Sequence, residues 1–488
     1  MNFADIVRAH QARDPDSPAI ITARTSLTYG QLDRAASAVA ARLSAQDLVA
    51  GNVVGLLFRD PLLHLVAVLA VARLGAVSAG IDWRSPPADR DAICHTLGLH
   101  ALLADLPPAG GAAVRTLRVD QGWLEPAGAP IPLADVGLDE PAVLMLTGGT
   151  TGLPKAMVVT HSAMAWRAAS WAATFNAGRG ARTLSILSLA TSAGLNSVAG
   201  QLYAGAAIRL RSPFMGAEEV IELVLRDRIE HATLVPTMLS LMLQRATSAP
   251  FLPDIKALVS TAARLQPEER EQVLARLTPN LYDSYGAAGV GLITLLRPQD
   301  IAQGQAGVGR PVLFTRVDIV DDQDRPLPRG EVGRVRVRSP RAARGYAGAT
   351  GAQERNELFA NGCVYPGDLG RIDGDGCLHL EGRASSVIIR GGENIHPEEI
   401  ERVLLAHPAI IEAAVLGRQD RVYGEVPYAI VVARGEVAVA DLVAHCRARL
   451  TAVKVPAGIA IVAALPKTSG GKVQRGELPA LLAAAGVG

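Results

Sequence analysis

Thr147-Gly148-Gly149-Thr150-Thr151-Gly152-Leu153-Pro154-Lys155, entered from the apolar run Ala142 to Leu146 and left through Val158-Val159, is the stretch on which the reading of this chain turns. Glycines let backbone N–H groups face an anion without steric cost, threonine hydroxyls add donors, and Lys155 brings a mobile positive charge. Such a loop is suited to phosphate, with Thr147, Gly149, Thr150, Thr151, Gly152 and Lys155 as its candidate contacts. It is not a Walker loop, which needs Lys followed by Ser or Thr at a helix start; here Pro154 precedes Lys155 and Ala156 follows it. Taken alone, the stretch also fits a glycine-rich hairpin turn.

Around this loop the chain alternates helix and strand signals. Helical spacing over Leu27 to Asp47 is followed by the strand-like Val53 to Phe58, a helix over about Leu62 to Leu74 and a short strand over Ala76 to Ile81. Beyond the loop, Ser162 is positioned to cap a helix running to about Thr174, and short strands over Leu184–Leu189, Ala232–Val235 and Ala257–Ser260 are separated by helical stretches. That alternation predicts parallel strands covered by helices on both faces. After Gly304 the pattern becomes β-rich, with a hairpin around Asp321 to Gly330. From Ser386 a compact α+β pattern begins, so the expected domains are 1–383 and 384–488.

Composition bounds the function. Lys plus Arg total 48 against 47 Asp plus Glu, so no overall field argues for nucleic acid or an acidic membrane. At 49% hydrophobic the chain has enough apolar material for a large core. Cys94, Cys363, Cys377 and Cys446 are scattered without CxxC spacing and read as reduced, packed thiols of a cytoplasmic protein. The most membrane-like run, Leu62 to Gly80, is broken by His64 and Arg73, and the N-terminus lacks an apolar secretion core.

Three further stretches carry chemistry. In Tyr365-Pro366-Gly367-Asp368-Leu369-Gly370-Arg371 a carboxylate follows glycine on a tight loop, suited to accepting from a ribose diol; an Asp in such a turn is also commonly structural. Arg390-Gly391-Gly392-Glu393-Asn394-Ile395-His396-Pro397 reads as a turn feeding a Pro-started helix. In Pro466-Lys467-Thr468-Ser469-Gly470-Gly471-Lys472-Val473-Gln474-Arg475, Lys472 offers an ammonium for a crowded anionic transition state, or a solvated surface lysine.

Taken in order over more than 300 residues, these stretches resemble the motifs of the adenylate-forming enzymes: acyl- and aryl-CoA synthetases, peptide-synthetase adenylation domains and luciferases. The resemblance implies a large N-terminal layered α/β domain with a β-rich subdomain and a small mobile α+β C-terminal domain. It implies ATP as co-substrate with Mg²⁺, phosphate contacts from the first loop, and ribose contacts from Asp368 and Arg383. Tyr285 and Gly286 would lie at the nucleotide, Gly391 and Gly392 would let a pantetheine arm pass, and Lys472 would be the catalytic lysine. The acid pocket would be lined by Thr191, Gly194, Ala262 and Ala263, small residues suited to an aryl or modest acyl carboxylate.

Departures matter as much. The family's Tyr-Gly-x-Thr-Glu is Tyr285-Gly286-Ala287-Ala288-Gly289 here, so the glutamate that holds Mg²⁺ is glycine. Thr191 stands where amino-acid activators carry Asp, which disfavours an α-amino acid. The expected activity is AMP-forming activation of a carboxylic acid followed by transfer to a thiol, CoA first. A carrier-protein thiol or an amine is the alternative acceptor, and a degenerate non-catalytic homologue is the alternative class. Expected partners are a small carboxylic acid, ATP and CoA, with a homodimer as an open assembly and neither nucleic acid nor membrane.

Overall fold

The computed structural model describes residues 2–85, 87–106, 114–126, 129–147, 155–213, 215–246, 250–347, 359–383, 386, 388–390, 393–420, 423–467 and 472–486. They fall into two compact units, Met1–Val317 with Val337–Val364, and Asp318–Arg336 with Tyr365–Gly488. The layered α/β expectation is borne out, and the smaller unit takes in 318–336 and 365–383 along with everything after 384.

Two sheets build the larger unit. One runs Gly345–Tyr346, Lys155–Thr160, Pro141–Thr147, Val77–Gly80, Val53–Leu57, Ala101–Ala104, Thr116–Arg118. Its members from Pro141–Thr147 onward are parallel, while Pro141–Thr147 and Lys155–Thr160 pair antiparallel with Thr147 opposite Lys155. The other runs Arg310–Pro311, Gly291–Leu296, Leu281–Ala287, Ala257–Ser260, His231–Leu234, Arg182–Ser185, Ala207–Leu210, Pro18–Ile21, Ser26–Thr28. From Leu281–Ala287 to Pro18–Ile21 it is parallel.

Local chemistry sets the helices between them. Asp60 accepts from the N–H groups of Leu62 and Leu63, and Pro61 opens the Pro61–Arg73 helix. That helix is buried on every side, as an all-apolar helix must be, and its Arg73 charge is met by Asp33 at 2.7 Å. Among the described residues no helix is long and apolar enough to cross a membrane. The His161–Thr174 helix is capped by Thr160, not Ser162: the Thr160 hydroxyl accepts from the Ala163 N–H at 3.2 Å. Strand register ends the chain's extended run at Thr160, which places that hydroxyl, two residues before Ser162, over the free N–H groups. This helix packs on Ser192–Tyr203 at Gly200, where a Cβ would lie 2.6 Å from Trp171.

In the smaller unit, Arg316–Val320 pairs with Gly333–Arg338, which leads to Asp368–Ile372 and Leu378–Arg383. A second sheet orders Glu393–Ile395, Ile388–Arg390, Gly424–Ala433 and Ile410–Asp420, with Gly458–Ile461 parallel to Gly424–Ala433. The Pro397–Leu405 and Val439–Arg447 helices bury Ile400, Leu404, Leu442 and Cys446 on one face, and Leu478–Ala484 buries Leu478 and Leu482 on the other. All four cysteines are free and buried.

Candidate active site

In the larger unit the antiparallel strands Pro141–Thr147 and Lys155–Thr160 flank residues 148–154, with Thr147 paired opposite Lys155. Gly149, Thr150, Thr151 and Gly152 lie outside the described residues, as does the Thr147 side chain. Lys155 is half-buried, with Nζ 6.0 Å from the Tyr346 ring centroid.

The acid-pocket and nucleotide candidates lie at or after the carboxyl ends of parallel strands of one sheet, where open α/β sheets place ligands. Thr191 follows Arg182–Ser185, Ala262 and Ala263 follow Ala257–Ser260, and Tyr285 and Gly286 belong to Leu281–Ala287. Thr191 has a structural duty too. Its hydroxyl donates to the Ser188 carbonyl at 2.7 Å and accepts from Gly194 N–H at 3.2 Å, capping the Ser192–Tyr203 helix. Gly194 admits the Ser188 carbonyl, which a Cβ would meet at 2.2 Å. Thr191 also lines a cavity of about 10 Å³, room for one water, together with His64, Ser78, Gly80, Leu189 and Ala190. His64 Nε2 is buried there without a protein partner among the described residues, and burial pulls its pKa down to about 4.

Ala262 adopts φ +73°, a left-handed conformation that costs a non-glycine residue roughly 1–2 kcal/mol. Strain of this kind concentrates at functional sites. Ala263 and Arg264 beside it are exposed. Tyr285 and Gly286 flank a β-bulge, and Gly286 leaves no space for a Cβ, which would lie 2.5 Å from the Gly291 carbonyl. Two residues earlier, Asp283 is buried against Arg270 at 2.7 Å; burial pushes its carboxyl up despite that partner, and it does not face outward as a ligand. Gly289 is buried as well. A Cβ there would lie 3.2 Å from Val364 Cγ1, 3.3 Å from Met157 Sδ and 3.7 Å from Phe359 Cζ.

The smaller unit brings together three charged candidates. Asp368 and Arg383 are directly opposed on adjacent antiparallel strands, and their side chains form an ion pair of 2.9 Å, with Asp368 8% exposed. Arg383 Nη1 also donates to the Pro366 carbonyl at 3.2 Å. Lys472 lies close enough to feel both: desolvation and the Arg383 guanidinium lower its pKa, and Asp368 opposes them. Its segment is pinned at both flanks by the Lys467–Val473 bridge, Gln474 N–H on the Pro466 carbonyl (2.8 Å) and Lys467–Glu412 (2.8 Å). Gly391 and Gly392 lie outside the described residues. Asp373, Cys377 and His379 place ligand atoms within 4.8 Å of one another, but the Asp373 carboxylate already takes the Asp375 and Cys377 N–H groups and His379 Nε2, closing a hairpin turn.

Residues 7–347 match the AMP-binding enzyme family and 399–472 match the AMP-binding enzyme C-terminal domain. This chain belongs to the AMP-binding enzymes. Feruloyl-CoA synthase of Amycolatopsis sp is 32% identical to it over 476 residues, 95% of this chain and 96% of that protein. The o-succinylbenzoate CoA synthetase from Bacillus subtilis, solved in complex with the acyl-adenylate intermediate OSB-AMP, is 26% identical with a TM-score of 0.89 and 97% of both chains covered. The same enzyme in complex with ATP and magnesium ion gives 25% and 0.87, over 97% of this chain and 99% of that one.

One residue of this AMP-binding enzyme was missed by motif reading. Arg475 reaches Glu401 at 2.7 Å and Glu398 at 3.7 Å and donates to the Val415 carbonyl at 2.9 Å, tying the Lys472 segment to the Pro397–Leu405 helix. Its signal was the trio of acidic residues after Pro397, Glu398, Glu399 and Glu401.

Proposed function

We propose that this chain activates an aryl or modest acyl carboxylic acid with ATP, releasing pyrophosphate, and passes the acyl group from AMP to the thiol of CoA. The observation that carries this reading is the meeting of Asp368, Arg383 and Lys472, from three separate stretches, in one charged cluster. A ribose diol placed at the Asp368–Arg383 pair would find both an acceptor and a donor. Lys472, positioned beside them, then neutralises charge as a carboxylate oxygen attacks the α-phosphorus and the bond to pyrophosphate breaks. In the second step the thiol sulfur attacks the acyl carbon, its proton passes to solvent, and AMP leaves with the electron pair of the broken acyl–phosphate anhydride bond. Residues 1–383 serve ATP and the acid in this scheme, 384–488 carry Lys472, and the hinge lies near Arg383–Ser386. We place the activity in the cytoplasm, where CoA and ATP are available.

The o-succinylbenzoate CoA synthetase from Bacillus subtilis has been solved with ATP and magnesium ion. The described residues here do not fit the motif's metal ligand, since Gly289 offers no oxygen side chain and its surroundings are filled, so no step is routed through the ion. Pyrophosphate release across a panel of aryl and acyl acids tests the first half-reaction, and product mass with CoA or a carrier protein tests the acceptor. Lys472→Ala is expected to abolish adenylate formation while sparing thioester formation from supplied acyl-AMP. Equal loss of both steps would remove Lys472 from its assigned role.

A further inference from the structure

The hairpin of Asp368–Ile372 and Leu378–Arg383 carries the Asp368–Arg383 pair at one end and a second set of chemical groups at its turn. Antiparallel register sets Arg371 opposite His379 and Ile372 opposite Leu378; one step further, the Asp373 N–H donates to the Cys377 carbonyl at 3.0 Å, which sets Asp373 opposite Cys377. Side chains alternate along a strand, so Asp373, Cys377 and His379 share one face of the hairpin. Their ligand atoms, a carboxylate oxygen, a sulfur and an imidazole nitrogen, all lie within 4.8 Å of one another. Arg371, on the same face, is held by Glu381 at 3.1 Å. Closing the turn needs Asp373 alone: its Oδ1 accepts from the Asp375 and Cys377 N–H groups at 3.0 and 2.9 Å. A thiol at 377 and an imidazole at 379 are not required for that closure.

The spacing suits a tetrahedral ion. Zn²⁺ holds sulfur at about 2.3 Å and imidazole nitrogen or carboxylate oxygen at about 2.0–2.2 Å, which sets the three ligand atoms about 3.3–3.6 Å apart. Here His379 Nε2 and Asp373 Oδ2 are 2.7 Å apart, and no separation in the set exceeds 4.8 Å. Parting the imidazole from the carboxylate by about 0.6 Å and rotating the Cys377 side chain would complete the geometry. The two backbone N–H groups on Oδ1 are the outer support that fixes a ligating carboxylate. Cys377 is buried, whereas the Asp373 and His379 side chains keep an edge in solvent, which gives an ion its way in and a water its place as fourth ligand.

We propose that Asp373, Cys377 and His379 form a binding site for a thiophilic divalent cation of the Zn²⁺ class at the turn of this hairpin. The sulfur binds as thiolate and its proton passes to solvent; the ion replaces the proton shared by Nε2 and Oδ2, leaving a neutral imidazole with its proton on Nδ1. One thiolate and one carboxylate then balance the two positive charges, so the site gains no net charge. Thiolate selects against Mg²⁺ and Ca²⁺, which prefer oxygen, so Mg²⁺ supplied with ATP does not compete here. The ion would tie together the turn ends of the two strands that bear Asp368 and Arg383. This inference is independent of the proposed function.

Titration of the full chain with Co²⁺, after stripping with EDTA and desalting, tests it. The wild type is expected to take up one Co²⁺ per chain with a thiolate-to-cobalt charge-transfer band and the intense visible bands of tetrahedral cobalt, and Zn²⁺ is expected to displace the ion and bleach both. Cys377→Ala should abolish the charge-transfer band. His379→Gln and Asp373→Asn should each weaken binding at least about tenfold, since losing a ligand costs no less than losing an outer-shell partner. Asp373→Asn keeps an acceptor for the two turn N–H groups, so its fold is preserved while a charged ligand is lost. A wild-type protein without the thiolate band overturns the inference, whatever becomes of the variants. A band that survives in Cys377→Ala, or equal Co²⁺ affinity in His379→Gln and the wild type, places the ion elsewhere and overturns it too.

Discussion

Adding one methyl group at Gly289 is expected to destabilise the larger unit, because the ideal Cβ would lie 3.2 Å from Val364 Cγ1 and 3.3 Å from Met157 Sδ. Both contacts are shorter than the roughly 3.5–4.0 Å optimum for carbon-sized atoms, so each neighbour must yield by a few tenths of an ångström. Neither has an easy retreat: Val364 and Met157 are strand residues, 3% and 8% exposed, with Phe359 closing the third side. Overpacking of this kind costs about 1–3 kcal/mol. Gly289 does not occupy a left-handed conformation, so alanine regains roughly 0.4–1 kcal/mol by restricting the unfolded chain. The net loss for Gly289→Ala therefore lies between about 0 and 2.6 kcal/mol, centred on about 1.3 kcal/mol, a fall of roughly 2 °C in Tm for a unit of this size. Thermal melts in metal-free buffer read it. Gly289→Glu meets the same wall, and is expected not to lower the Mg²⁺ concentration needed for pyrophosphate release. An unchanged or raised Tm for Gly289→Ala, together with a lowered Mg²⁺ demand for Gly289→Glu, would show the place to be open and refute the packing argument.

Lys472 is held below the ordinary lysine value of about 10.4, so its ammonium form is lost at lower pH; the basic limb of the adenylation rate should fall below that value and vanish in Lys472→Arg if the variant turns over. A limb that persists in the arginine variant belongs to another group. Asp368→Asn removes both the partner of Arg383 and the charge that raises Lys472, so it should weaken ATP binding and move the basic limb to still lower pH; unchanged ATP affinity would count against ribose contact. Arg270→Met leaves the buried Asp283 unpaired and should cost about 3–5 kcal/mol in denaturant melts, with most of it recovered in Arg270→Met/Asp283→Leu. If the single variant melts like the wild type, the pair contributes nothing to stability.

Much of this molecule was readable before any coordinates, and the reasons are local. Alternating apolar runs set the strands from Val53–Leu57 to Ala257–Ser260, and Pro267 opens its helix where proline at the first turn belongs. Asp368, Arg383 and Lys472 stood out because each sits in a segment that resembles a motif of the adenylate-forming enzymes; taken singly, each fits a structural or solvated residue as well. Other features depend on neighbours far along the chain. Thr160 and Ser162 are both acceptable caps by residue type, and only strand register decides between them. Gly289 reads as a vacated ligand position from its motif alone; Met157, Phe359 and Val364, which fill the space, come from two other segments. The hydrogen bond from Arg167 to the Arg341 carbonyl spans 174 positions, and no periodicity could have announced it. Thr191 shows a third kind of gap, a residue whose substrate-facing promise shares its hydroxyl with a helix cap.

The four cysteines have a practical bearing on the bench. Each is enclosed, and burial raises the thiols of Cys94 and Cys446 further from their reactive thiolate forms. A chromogenic disulfide reagent added to a folded sample should thus react at once with free CoA and hardly with the polypeptide. Consumption of the coenzyme can then be followed by colour in the unaltered protein, and any slow rise in the blank reports unfolding.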